Sequence, residues 1–90
     1  MTRFRRNPQI RATDVEGEFF LVEPASGQIY YLDQVTSGLW RLLAEPMDRA
    51  ELIETYRDAF PEQPAEDVAA QVGAALDEML EGRLVGPVDD

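Results

Sequence analysis

Tyr30-Tyr31-Leu32-Asp33-Gln34-Val35-Thr36-Ser37-Gly38-Leu39-Trp40-Arg41-Leu42-Leu43 is where the period of this chain changes. Up to Leu32 the residues form a short β-forming cluster. After Asp33, Val35, Leu39, Leu42 and Leu43 fall on one helical face, with Trp40 beside them. Asp33 stands at the junction and has the side chain of an N-cap. The stretch therefore predicts a strand that runs directly into a helix.

Working outward towards the N-terminus, Gln28–Leu32 is preceded by Pro24-Ala25-Ser26-Gly27, a turn signal, and by the β-rich run Glu18–Glu23. Two such runs around a Pro/Gly turn read as a hairpin. Gly17 punctuates, and Ile10–Val15 predicts a first short strand. Towards the C-terminus, Glu45-Pro46 ends the first helix. Asp48 caps a second helix, with Glu51 as its capping-box partner, and Leu52, Ile53, Tyr56 and Phe60 give its apolar face. Pro61 closes it. Pro64 suits the first turn of a third helix, whose Val68, Val72, Ala75, Leu76, Met79 and Leu80 repeat at three- and four-residue spacing. Gly82 is the expected C-cap. Leu84-Val85 reads as a short apolar tail, with order ending at Gly86-Pro87. The expected fold is α+β: a three-stranded antiparallel sheet followed by three helices, winged helix-turn-helix-like. Residues 1–9 are expected as a flexible basic arm, 10–85 as the domain and 86–90 as an acidic tail.

Composition narrows the chemistry. Ninety residues make one domain with a modest core, and 44% apolar residues are enough to fold it. Cysteine, histidine and lysine are all absent. This removes thiolate nucleophiles, the commonest general base and Schiff-base chemistry. No apolar run approaches the roughly 20 residues of a membrane span, and no apolar stretch follows the N-terminal arginines to make a signal peptide. The expectation is a cytoplasmic protein that is not an enzyme, with neither metal nor cofactor. The net charge of −10 opposes binding to phosphate backbones. Half of the eight arginines (Arg3, Arg5, Arg6 and Arg11) crowd the N-terminus, while Glu62–Asp90 holds eight acids and Arg83 alone. Asp77 with Glu81, and Glu62, Glu66 and Asp67, read as a solvated acidic face.

The quoted stretch resembles the PqqD-like family, the recognition element for precursors of ribosomally synthesised, modified peptides. That family shows an aromatic or apolar strand ending in Leu and then Asn or Asp, a helix start of small residues, and an Ile/Leu-Trp-x-Leu-Leu run. Leu39-Trp40-Arg41-Leu42-Leu43 matches it. Asp48–Tyr56 resembles the family's short second helix, and Glu66–Leu80 with Gly82-Arg83-Leu84-Val85 its third helix and ending. The resemblance covers residues 10–85. Asp33 and Gln34 stand where the family often has Asn and Glu. The resemblance implies a non-catalytic domain that binds the leader of a precursor peptide as an added strand and presents it to a maturation enzyme, often a radical-SAM protein.

Strand addition needs an unpaired sheet edge and a second wall. Gln28, Ile29, Tyr30, Tyr31 and Leu32 form the candidate edge, free of the proline and lysine that usually guard one. Alternation turns Tyr30 and Leu32 to the core and Ile29 and Tyr31 the other way. The third helix, rich in alanine around Gly73, supplies the wall, and Gln71, Ala74, Ala75 and Glu78 are its expected peptide-facing residues. Gly73 suits either close approach of a guest or packing on another helix, and Trp40 suits the core or a partner surface. An open edge also invites self-pairing, so monomer and weak dimer both remain. The competing readings are an acidic adaptor without a leader peptide and a DNA-binding winged helix. The second is weakened by a second helix offering only Arg49 and Arg57 and a third offering no arginine or lysine.

Overall fold

A computed structural model describes residues 2–88. Nine elements follow in order: β1 (Arg3–Arg6), β2 (Arg11–Val15), β3 (Glu18–Glu23), β4 (Gln28–Tyr31), α1 (Gln34–Leu42), β5 (Met47–Asp48), α2 (Arg49–Ala59), α3 (Ala65–Glu81) and β6 (Val85–Pro87). Strands β2, β3 and β4 form an antiparallel meander with β3 in the centre. Glu16 and Gly17 turn the β2–β3 hairpin with both φ values positive, the pattern that matches the twist of adjoining strands. The three helices follow the meander as the sequence predicts.

Local chemistry fixes the helix starts. The Asp33 carboxylate accepts from Thr36 N–H at 2.9 Å and caps α1. Asp48 accepts from Glu51 N–H while the Glu51 side chain accepts from Asp48 N–H, which completes the capping box of α2. Pro64 sits one residue earlier than expected, at the N-cap of α3. At the other end, Gly82 is the C-cap but keeps a φ of −78°, and Arg83 takes the left-handed conformation with φ 59°. Arg83 N–H bonds the Leu80 carbonyl and Leu84 N–H the Met79 carbonyl, so the helix closes on a Schellman pair without a glycine at the left-handed position.

The core lies between the meander and the helices. Leu21, Leu39, Leu52, Val72 and Leu76 are fully buried there, and Trp40 is core rather than surface. Gly73 serves the intramolecular packing that the sequence left open. A Cβ there would stand 3.3 Å from the Arg49 guanidinium, which donates to the Gly73 carbonyl and pairs with Asp77 at 2.8 Å.

The ends of the chain depart from expectation. Arg3–Arg6, read from sequence as part of a flexible arm, are strand β1, paired antiparallel with β5 on one side and β6 on the other. The alternation is short but real: Phe4 packs on the core, and Arg6 turns inward to donate through Nε to the Trp40 carbonyl at 2.6 Å. Gly86 and Pro87, assigned to the acidic tail, belong to β6. Asp89 and Asp90 of that tail lie outside the described residues. Pairing between segments so far apart in sequence leaves no local periodicity to read.

Candidate functional site

The meander has two edges, β2 and β4, neither paired to another strand among the described residues. They differ in what stands beside them. Every residue of β2 is exposed. Beside β4 runs a groove walled by α3.

The hydrogen-bond phase of β4 decides what its edge offers. Leu32 N–H bonds the Phe19 carbonyl at 2.9 Å, and Tyr30 lies opposite Leu21 in the same register. In an antiparallel ladder, bonded residues alternate. The Leu32 N–H and the main-chain groups of Tyr30 therefore face β3, the Leu32 carbonyl accepts from the Ser37 hydroxyl at 3.1 Å, and the N–H and C=O of Ile29 and Tyr31 point out of the sheet edge. Side chains alternate as well. Leu32 is 4% exposed and Tyr30 half-buried, its ring 3.6 Å from where a Gly82 Cβ would stand. Ile29 at 67% and Tyr31 at 57% exposure face the opposite side of the sheet. There Tyr31 packs on Phe20 with ring centroids 5.0 Å apart, and its hydroxyl donates to the Glu18 carboxylate, which raises its pKa.

The groove has two adjoining stretches. One, of about 500 Å³, is lined by Ile29–Asp33, Thr36, Glu78, Met79 and Leu84. The next, of about 330 Å³, runs between Asp33, Val35 and Thr36 of the α1 start and Gln71, Ala74, Ala75 and Glu78 of α3. Asp33, Thr36 and Glu78 belong to both. The alanines keep the α3 wall of this groove low. Among the described residues, two carboxylates and no arginine line it. Hydrogen bonds from the backbone and side chain of Thr36 hold the Asp33 pKa below its usual value, which keeps the groove acidic. A larger surface concavity, about 840 Å³, lies away from the sheet edges, against α2 at Ala50, Ile53, Glu54 and Arg57. It offers no strand to pair with.

Residues 18–85 match the family model described as coenzyme PQQ synthesis protein D, PqqD. The chain belongs to the PqqD family. Two solved structures share the fold of this PqqD-family chain. "TbiB1 in Complex with the TbiA(beta) Leader Peptide" matches with a TM-score of 0.80 at 19% identity, over 96% of this chain and 99% of that one. "Lasso peptide synthetase B1 complexed with the leader peptide" matches with a TM-score of 0.76 at 18% identity, over 93% and 98%. No curated protein matches the sequence.

Of the site residues expected from sequence, eight come together in this PqqD-family groove: Ile29, Tyr30, Tyr31 and Leu32 from the strand side, and Gln71, Ala74, Ala75 and Glu78 from α3. Gln28 does not join them. It lies at the hairpin end, where its Oε1 accepts from the Tyr30 hydroxyl at 2.9 Å. The reading from sequence missed Asp33, Val35 and Thr36 as groove wall. The N-cap signal at Asp33 was visible, but a cap gives no sign that the helix start faces a groove. Met79 was missed because an apolar residue at helical spacing reads only as core, and Leu84 because it read as part of a short apolar tail.

Among the described residues no helix is long and apolar enough to cross a membrane, and no group of three or more Asp, Glu, His or Cys stands close enough to hold a metal ion.

Proposed function

We propose that the groove between β4 and α3 binds an extended peptide segment as a fourth strand of the meander, and that the protein presents the leader of a ribosomally made precursor to a modifying enzyme. One observation carries this reading: among the described residues, the outward N–H and C=O of Ile29 and Tyr31 stand unpaired beside a groove of about 500 Å³. Main-chain bonds at such an edge supply affinity, and the neighbouring walls supply selectivity. The guest strand's inward residues meet Leu32, Ala74, Ala75 and Glu78. Its outward residues stand beside Ile29 and Tyr31 as cross-strand pairs. Family membership and the two structural neighbours, both solved with leader peptides, support the same role.

The chain's own part is binding. With no histidine, cysteine or lysine, it has none of the usual side chains for nucleophilic attack or proton transfer near neutral pH. Chemistry on the peptide belongs to the partner enzyme, a radical-SAM protein where the pathway resembles that of PQQ.

The test is a titration of candidate leader peptides, and separately of duplex DNA, into the ¹⁵N-labelled protein. Saturable shifts confined to Ile29–Leu32 and Gln71–Glu78 with peptide support the reading. Shifts centred on α2 with DNA, or peptide shifts confined to β2, overturn it.

A further inference from the structure

Beyond Gln71 the groove does not end. Val35 and Gln71, which line its second stretch, also line a smaller cavity among the start of α1, the end of α2 and the first half of α3. Val35, Tyr56, Phe60, Val68 and Val72 form its apolar walls. Among the described residues, glutamines are its only polar side chains besides the Tyr56 hydroxyl, and no charged side chain lines it, in contrast to the acidic groove that leads there. We infer that this cavity is a second anchor point for the same guest peptide, taking one large apolar side chain beyond the segment that pairs with β4. The inference rests on the peptide-binding reading above and adds to it a requirement on the peptide's sequence.

Size selects the occupant. The cavity measures about 130 Å³. Pockets for drug-sized ligands and cofactors run to roughly 300–1,000 Å³, whereas a cavity of about 150 Å³ holds a benzene molecule. One branched aliphatic or one closely fitted aromatic side chain is what fits. The walls are set in advance. The Tyr56 hydroxyl donates to the Val35 carbonyl at 2.6 Å, and Gly38 leaves the space its ring end occupies. A fixed wall costs a guest little reorganisation. Phe60, 38% exposed at the rim, is apolar surface that an inserted side chain would cover.

Geometry sets the spacing. Val68 precedes Glu78 by ten residues of α3, which spans about 15 Å of helix. An extended chain covers that distance in about five residues. The guest is therefore expected to carry its apolar anchor about five residues from the residue opposite Glu78.

The test uses the full chain and a displayed library of random peptides about sixteen residues long, enough to pair with β4 and reach the cavity. Binders are first sorted by sensitivity to Ile29→Pro, which removes an outward N–H of the edge. The edge-dependent binders are expected to share a large apolar residue at the stated spacing. Replacing it by alanine should weaken binding to the wild type about tenfold, and by less than about twofold in Phe60→Ala or in Gln34→Trp, which caps the cavity mouth. Gln34 is exposed at the first turn of α1, so its variant keeps the test open if Phe60→Ala folds poorly. Edge-dependent binders with no such residue, or losses that add fully across peptide and protein changes, would overturn the anchor and leave the groove reading intact. A library yielding no edge-dependent binder overturns both.

Discussion

Tyr56 Oη donates a 2.6 Å hydrogen bond to the carbonyl of Val35 across the space that a side chain at Gly38 would fill. This contact ties α2 to the first turn of α1. A Cβ at position 38 would overlap the hydroxyl and stand 3.2 Å from the ring carbon that bears it. Glycine inside a helix usually costs about 1 kcal/mol against alanine. Here the sign should reverse. Gly38→Ala is expected to destabilise by about 1–3 kcal/mol through overpacking. In a Tyr56→Phe background, where the nearest atom is gone, the same change should cost less. Urea unfolding of the four variants measures the coupling; equal costs in both backgrounds would sink the explanation.

The same tyrosine makes stability depend on alkaline pH. Burial, then the charge of Asp33, pushes its pKa from 10.0 to about 12. A group whose folded pKa is raised binds its proton more tightly in the native state. Its contribution is fully present below pH 10 and is lost as pH rises through about 12. Thermal unfolding across that window should show a decline that Tyr56→Phe makes shallower. Parallel curves for the two proteins would argue against a native-state origin.

The sequence and the structure agree most where information is local. The break at Asp33, the caps at Asp33 and Asp48 and the inward face of α3 follow from neighbours a few residues apart, and each is present. The β4 edge was legible because Gln28–Tyr31 lacks guarding residues. The sheet of β1, β5 and β6 was not, because Phe4 meets Met47 on one side and Pro87 on the other, separations that periodicity cannot reach. Three arginines in four residues made that strand look like a solvated arm. The apolar cavity at Val35 and Tyr56 was hidden for a related reason: each of its walls reads singly as core.

Asp33 does two jobs that different substitutions separate. Its carboxylate caps α1 and lines the groove. Asp33→Ala should cost about 1 kcal/mol of stability, the usual worth of an N-cap, while Asp33→Asn keeps the cap and should cost little. The wild-type protein should also lose stability in acid. The hydrogen bonds from Thr36 depress the Asp33 pKa below 3.8, so its contribution is present above that value and disappears as pH falls through the depressed pKa. Asp33→Asn should show a weaker acid limb in urea titrations. An unchanged limb would assign the acid sensitivity to other carboxylates.

Arg6 joins the small sheet to the core. Its Nε donates to the Trp40 carbonyl at 2.6 Å, and its guanidinium lies 4.8 Å from the centroid of the Trp40 ring. Lysine has no planar fork to do both. Arg6→Lys should destabilise by about 1.5–3 kcal/mol, the range for hydrogen bonds that involve a charged group. Arg6→Ala should cost at least as much, and deletion of residues 1–6 more, since it also removes the pairing of β1. Trp40 fluorescence in a denaturant titration reads all three. A deletion as stable as the full chain would mean that β1 adds nothing to the fold.

The alternation along β4 makes its residues behave oppositely to the same substitution. Tyr30 bonds inward to β3, and Ile29 and Tyr31 bond outward to nothing within the meander. Proline at position 30 removes a ladder bond and should destabilise by about 3 kcal/mol. At position 29 the lost N–H faces the open edge, where proline is tolerated, so the fold should stay within about 1 kcal/mol of the wild type while peptide affinity falls. Amide exchange gives the same contrast without any mutation. In the free protein the Ile29 and Tyr31 amides should exchange far faster than that of Tyr30. A peptide seated as a fourth strand must slow both and leave Tyr30 nearly as it was. Slow exchange at Ile29 and Tyr31 before any peptide is added would mean the edge is already occupied in solution, by a second copy or by the chain's own ends, and strand addition would have no place to begin.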